Sequence, residues 1–119
     1  MAKQDIFHEK AGRFVTHDTA KKYQDKYLKK KSDKGDKDPV RSQFFGIEHI
    51  KKLISRPGCT GIKIYYGADD NDAPGLVLVA ADKAGKNHER NLSGLKDPDD
   101  GDYVADGPVC PTFCMNVDN

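Results

Sequence analysis

Apolar residues recur at helical spacing in two stretches of the chain. The first follows Thr16, a good N-cap residue, and places Tyr23 and Tyr27 four residues apart, which predicts a helix over about 17–31. The second stretch ends at residues 56–58, where Arg-Pro-Gly stops a helix. Its apolar positions are Ile47, Ile50, Leu53 and Ile54. A second, shorter helix is therefore expected just before this stop.

Two further stretches have the pattern of β-strands. Residues 59–67 alternate between two faces, one of which we expect to be buried. The expected buried face carries Ile62, Ile64 and Tyr66, and the other face carries Lys63 and Tyr65. Residues 76–81 are apolar throughout, as in a central strand that is covered on both faces. The turn-rich loop between the strands favours an antiparallel hairpin, and a third strand is expected around residues 88–92.

The pattern as a whole predicts an α+β fold. Two helices are expected to pack on a small, mainly antiparallel sheet, followed by an irregular acidic C-terminal tail. The 119 residues are enough for one domain. Its ordered heart is expected at about 43–92, between a flexible Lys- and Asp-rich loop at about 29–40 and the tail at 93–119. Two or three strands cannot close into a barrel, so the sheet should have an open edge.

Charge is unevenly distributed along the chain. Residues 1–68 carry 16 Lys and Arg against 8 Asp and Glu, whereas residues 69–119 carry 4 against 11. The two halves could attract within one chain, could attract between copies, or could simply be solvated faces. No apolar run approaches the ~20 residues of a membrane span, and the N-terminus lacks the apolar core of a secretory signal. We therefore expect a cytoplasmic protein without a membrane partner.

Cys110 and Cys114 come closest to a chemical motif. Their spacing differs from the two-residue spacing of thioredoxin-like and zinc-knuckle motifs. An extended segment would hold their Cα atoms ~13 Å apart, so a disulfide requires a turn, which Pro111 could set. The pair could be ordinary reduced thiols, a disulfide, a redox pair, or a zinc site completed by Cys59 and a histidine. If Cys59 takes no part in such a site, we expect it to act as a small apolar residue in the core.

Sequence motifs for catalysis are missing. The chain contains no phosphate-binding glycine loop, no serine elbow and no HExxH, and turn chemistry accounts for the Asp-rich segments 69–72 and 97–102. We therefore expect no enzymatic activity and no cofactor, with zinc as the one alternative.

The leading interpretation is a non-enzymatic interaction or self-assembling structural protein, whose partner is another protein or a second copy. Lys63 and Tyr65 are the candidate interaction surface, because they lie on the expected open face of the first strand. A thiol-based metal-binding or redox-responsive module using Cys110 and Cys114 is one alternative. Weak polyanion binding through the Lys-rich segment 21–41 is another. Because aspartates interrupt these lysines, nucleic acid is not an expected partner.

Several motifs occur together in one order. A short helix leads into Pro57-Gly58-Cys59, then a Gly-Ile-x-Ile-Tyr strand, a Leu-Val-Leu-Val strand and a closing Cys110-Pro-x-x-Cys114. In this combination the chain resembles a family of small uncharacterised proteins from Bacteroidetes-type bacteria. The likeness covers residues 43–92 and the tail, roughly half of the chain, and the lysine-rich loop at 29–38 departs from it as an insertion would. The resemblance implies that all three cysteines belong to a shared framework, and it implies no catalytic residue.

Overall fold

The computed structural model describes residues 6–90 and 100–115. These ranges contain two helices and five strands. The helices are α1 (His17–Asp33) and α2 (Ile47–Ile54), and the strands are β1 (Ser42–Gln43), β2 (Gly61–Ala68), β3 (Pro74–Ala81), β4 (Tyr103–Val104) and β5 (Val109–Cys110). All strand pairs are antiparallel and form two small sheets, so the predicted α+β class is confirmed.

The backbone groups into two compact units. The sheet unit comprises the described residues 6–11, 45–90 and 100–107, and it contains α2 and strands β2, β3 and β4. The helix unit comprises residues 12–44 and 108–115, with α1, β1 and β5. Because the chain passes between the units more than once, both can belong to one domain, and the single-domain organisation stays a prediction.

In the sheet unit the strand order is β2-β3-β4, with β3 in the centre. The predicted hairpin is confirmed: β2 and β3 pair along their full length, with Ile64 opposite Leu78. The third strand is β4, where Tyr103 lies opposite Val79. The sequence placed a third strand at 88–92 instead. Residues 88–90 form no strand, and residues 91 and 92 lie outside the described part of the chain.

The core of the sheet unit lies between α2 and one face of the sheet. Leu53 of α2 is 1% exposed and clusters with Leu78 and Ala80 of β3. Other apolar residues pack around this cluster: Phe45, Cys59, Ile62, Leu76 and Val104. On the opposite face of β3, Val79 is fully buried as well. The C-terminal half of β3 is therefore covered on both faces, as the unbroken apolar run predicts.

The predicted buried face of β2 is only partly buried. Ile62 packs against the core, but Ile64 is 53% exposed and Tyr66 is 93% exposed. The prediction of burial was therefore wrong for these two residues. The reason is length: the eight residues of α2 span ~12 Å, whereas the eight residues of β2 span ~26 Å. The helix can cover only one end of the strand.

In the helix unit, α1 begins as predicted, because Thr16 Oγ1 accepts a hydrogen bond from the Thr19 amide at 3.1 Å. The helix extends to Asp33, so the first part of the loop expected at 29–40 is helical. None of its residues is buried. Within the described chain, neither helix has the length and apolar character needed to cross a membrane.

The segment predicted as an irregular acidic tail contains both β4 and β5. In the helix unit, β5 pairs with β1, placing Ser42 opposite Cys110. Two further hydrogen bonds extend this pairing, from the Arg41 amide to the Cys110 carbonyl and from the Phe44 amide to the Pro108 carbonyl, both at 2.8 Å. The described part of the tail is therefore tied to earlier parts of the chain, although most of it is irregular.

Candidate interaction surface

β2 is an edge strand of its sheet. β3 pairs with one side of it, and no other strand of the described chain pairs with the other side. The hydrogen bond from the Asp69 amide to the Ala73 carbonyl, at 2.9 Å, continues the ladder between the two strands. Because only alternate pairs of an antiparallel ladder exchange hydrogen bonds, Lys63, Tyr65 and Gly67 direct their backbone polar groups toward β3.

It follows that Ile62, Ile64 and Tyr66 direct their N–H and C=O groups away from β3. A second hydrogen bond supports this assignment. Ala80 lies opposite Ile62, and its carbonyl accepts from the His88 amide at 2.8 Å, so it points away from β2. β2 therefore presents a row of outward backbone donors and acceptors. Such an edge can pair with a strand of another chain.

An apolar surface continues from the sheet face to this edge. Ile64 and Tyr66 lie opposite Leu78 and Leu76, on the same face as the core but beyond the end that α2 covers. Apolar side chains next to unpaired backbone groups are typical of surfaces that are covered in a complex.

Lys63 and Tyr65, the residues chosen from the sequence, lie on the opposite face of β2. The Lys63 ammonium donates a hydrogen bond to the Gly85 carbonyl and lies 5.8 Å from the centre of the Tyr65 ring. The Tyr65 hydroxyl accepts a hydrogen bond from Asn87 Nδ2 at 2.9 Å, which lowers the pKa of Tyr65. Both side chains therefore interact with the loop that follows β3, and Ile64 and Tyr66 are more open.

That loop is fixed by local turn chemistry. Asp82 Oδ1 accepts hydrogen bonds from the amides of Ala84 and Lys86, which lower the pKa of Asp82. Gly85 has a φ of +78°, and the ring of Phe7 lies where a Cβ would be. A pocket of about 110 Å³ beside Phe7 is well below the ~300 Å³ of ordinary ligand sites. We therefore assign this region a structural role.

Four charged residues form a cluster that fastens β4. Asp102 Oδ1 lies 2.9 Å from Arg56 Nη1 and 2.7 Å from Arg90 Nε, and Asp100 Oδ1 lies 3.1 Å from Arg90 Nη2. Partial burial raises the pKa of Asp102, but hydrogen bonds from Arg90 and Arg56 outweigh this effect and lower the pKa to about 2. Here the basic and acidic halves of the chain meet within one molecule.

Cys110 and Cys114 form a disulfide, with their Cα atoms 4.7 Å apart. Cys110 is 1% exposed and belongs to β5. Cys59 lies in the sheet unit, where its thiol donates to the Gly61 carbonyl at 3.3 Å and its side chain packs against the core. Among the described residues, no group of three or more His, Cys, Asp or Glu could hold a metal ion. Of the arrangements left open by the sequence, the structure has the disulfide.

Comparisons with protein families, curated proteins and solved structures found no match to this chain. The resemblance to the Bacteroidetes-type family therefore stays a prediction. Function has to be inferred from the geometry of the described residues.

Proposed function

We propose that this protein is a non-enzymatic interaction module that self-associates by pairing β2 with β2 of a second copy. The observation that supports this proposal is the open edge of β2, which combines outward backbone groups with the exposed side chains of Ile64 and Tyr66. Two identical edges can pair with each other about a twofold axis, because antiparallel pairing of two identical strands is symmetric.

The sequence of β2 fits a self-pairing register centred on Ile64. This register places Ile64 opposite Ile64 of the second copy and Ile62 opposite Tyr66 of the second copy. All three residues direct their backbone groups outward, so about six hydrogen bonds would join the strands. On the other face, Lys63 would lie opposite Tyr65 of the second copy, which avoids a like-charge contact.

Natural proteins often prevent edge pairing with an inward-pointing charge, a proline or a bulge. Lys63 is the only charged residue of β2, and its ammonium is held by the Gly85 carbonyl on the face opposite Ile64. β2 contains no proline, and its register with β3 runs without a bulge from Gly61 to Ala68. None of these devices blocks the edge, which favours pairing.

The expected association is weak. One strand edge and a few apolar side chains bury less than the ~1,200 Å² of standard stable interfaces. Ordering and lost rigid-body freedom offset much of the gain from hydrogen bonds and apolar contact. We therefore expect a dissociation constant on the order of 10–100 µM, in the range of transient homodimers.

The test is sedimentation equilibrium of the full chain from about 5 µM to about 500 µM, a range that brackets the expected constant. The wild-type protein should shift from monomer toward dimer. Ile64→Lys should remain monomeric over the same range, because it places a charge beside its own copy at the centre of the interface.

Ile54→Lys is the matched control. Ile54 and Ile64 are almost equally exposed, at 52% and 53%, but Ile54 lies on α2 and not at the sheet edge. The control should dimerise like the wild type. A wild-type protein that stays monomeric at the highest concentration, or a control that loses dimerisation equally, would contradict the proposal.

The disulfide supports a second candidate, a redox-responsive module. Cys110 and Cys114 are joined at β5, so reduction would release the turn next to the β1–β5 pairing. A reducing cytoplasm would favour the open form, whereas an oxidising compartment would keep it closed. Limited proteolysis with and without reductant tests this candidate. Faster cleavage near β5 in reductant would support it, and identical cleavage would oppose it.

A further inference from the structure

The surface of α1 carries a row of lysines that the proposed self-association does not use. Lys22, Lys26 and Lys30 are four residues apart, so they follow one another along one side of the helix. All three are exposed. Within the described chain none of them forms an ion pair or a hydrogen bond. The row is therefore available to a partner.

Two of the three aspartates of α1 pair with lysines outside this row, whereas Asp18 lies one turn before Lys22 on the same side of the helix. Asp25 Oδ1 pairs with Lys21 Nζ, and Asp33 Oδ2 pairs with Lys29 Nζ, both at 3.1 Å. In the sequence, Asp33, Asp36 and Asp38 interrupt the lysines, which argued against nucleic acid as a partner. In the folded chain, Asp33 pairs with Lys29 and Asp38 lies 3.5 Å from the Arg41 guanidinium. Among the described residues no acid pairs with Lys22, Lys26 or Lys30, so the aspartates leave this row open to an anion.

Two tyrosines run beside the lysine row. Tyr23 is 56% exposed and Tyr27 is 48% exposed, and each directly follows one of the lysines. Arg13 Nη2 donates to the Tyr23 hydroxyl at 3.3 Å, and Lys31 Nζ lies 5.7 Å from the centre of the Tyr27 ring. Open aromatic rings next to a row of cations are the two components that bind single-stranded nucleic acids, through stacked bases and phosphates.

We propose that α1 binds single-stranded nucleic acid, with Lys22, Lys26 and Lys30 on the phosphates and Tyr23 and Tyr27 against the bases. The lysine row spans ~12 Å, which is the length of three to four stacked nucleotides at ~3.4 Å each. The combination of cations and aromatic rings favours this ligand over simple inorganic anions.

A membrane surface fits α1 less well. Helices that lie in a lipid interface need a broad apolar face with several large side chains. Apart from the tyrosines, the apolar residues of α1 are Ala20 and Leu28, both only partly buried and neither aromatic. This apolar face is too small to insert among acyl chains. The side chains of α1 therefore favour nucleic acid over a membrane surface as the ligand.

The test uses fluorescence polarisation of labelled oligo(dT) and oligo(rU), each about 20 nucleotides long, with the full chain as titrant. Both probes should bind, because phosphates and stacking faces are common to DNA and RNA. Affinity should fall about 20-fold between 50 mM and 200 mM salt, as expected for three phosphate contacts on a single strand.

The variant Lys22→Gln/Lys26→Gln/Lys30→Gln should weaken binding at least about tenfold and abolish most of the salt dependence, since it removes the phosphate contacts. Glutamine preserves helix propensity, and circular dichroism verifies α1. Lys51→Gln/Lys83→Gln/Lys86→Gln is the control, because it removes the same charge from exposed lysines of the sheet unit. It should bind almost as the wild type does.

Tyr23→Leu/Tyr27→Leu tests stacking separately from charge. It should lower affinity at least about fivefold and leave the salt dependence unchanged. Four results would overturn the proposal: no binding to either probe at low salt, equal weakening by both triple variants, full affinity without the tyrosines, or binding to anionic phosphatidylserine vesicles but to neither oligonucleotide.

Discussion

Asp102→Asn is expected to destabilise the sheet unit, because Asp102 is the carboxylate that Arg56 and Arg90 share. The side chains of Arg56 and Asp102 are each 10% exposed. The substitution keeps the size of the side chain but removes its charge. Asp100, at 3.8 Å from the Arg56 guanidinium, can replace only part of the lost interaction.

The pKa of Asp102 gives the expected loss in the free energy of unfolding. Its lowering from 3.8 to about 2 corresponds to ~2.5 kcal/mol at ~1.4 kcal/mol for each pKa unit. Solvent screening around this partly open cluster reduces the expected loss to about 1–2 kcal/mol at pH 7. Urea unfolding followed by circular dichroism measures this difference.

The same lowering of the pKa predicts how the effect depends on pH. Because the carboxyl group is more acidic in the folded protein, its contribution is complete above about pH 4, and it is lost as the pH falls toward about 2. The wild type and Asp102→Asn should therefore have almost the same free energy of unfolding near pH 2.

Asp70→Asn is the matched control, since Asp70 is exposed, and it should change stability by less than about 0.5 kcal/mol. A difference between wild type and Asp102→Asn that is as small as the control's, or that persists unchanged at about pH 2, would refute the reasoning.

Three further predictions concern the scaffold. Gly85→Ala should destabilise the protein more than Gly35→Ala does, by at least about 1 kcal/mol in urea unfolding. Both glycines have positive φ, but only at Gly85 would the new Cβ meet the ring of Phe7, at 2.6 Å. Equal losses of stability would contradict this packing. Thr16→Ala should cost about 1 kcal/mol and reduce helix content by circular dichroism, and no change would mean that the cap is not needed. Cys114→Ser should lower stability by about 2 kcal/mol under oxidising conditions only, and a loss that persists in reductant would point to packing instead of the disulfide.

The elements with a clear period could be predicted from the sequence. Thr16 marked the start of α1, and the apolar run of β3 identified the central strand with its two covered faces. The hairpin followed from the short turn-rich connection between two strands. In each case the signal is local, because capping, periodicity and loop length act over a few residues.

The remaining features depend on contacts that are distant in the sequence. β4 and β5 are two residues long, so neither has a period, and their pairing with β3 and β1 depends on tertiary structure. Periodicity identified a face on β2 but could not show that α2 is too short to cover Ile64 and Tyr66. The comparison of helix and strand lengths was the signal that could have revealed this exposure.

Amide hydrogen exchange of β2 at two protein concentrations tests the central claim most directly. The amides of Ile62, Ile64 and Tyr66 point to the open edge, whereas those of Lys63 and Tyr65 are directed toward β3. Self-pairing predicts that the first three exchange rapidly in dilute solution and become protected at high concentration, while the other two are protected at both. Rapid exchange of Ile62, Ile64 and Tyr66 at every concentration would contradict the account.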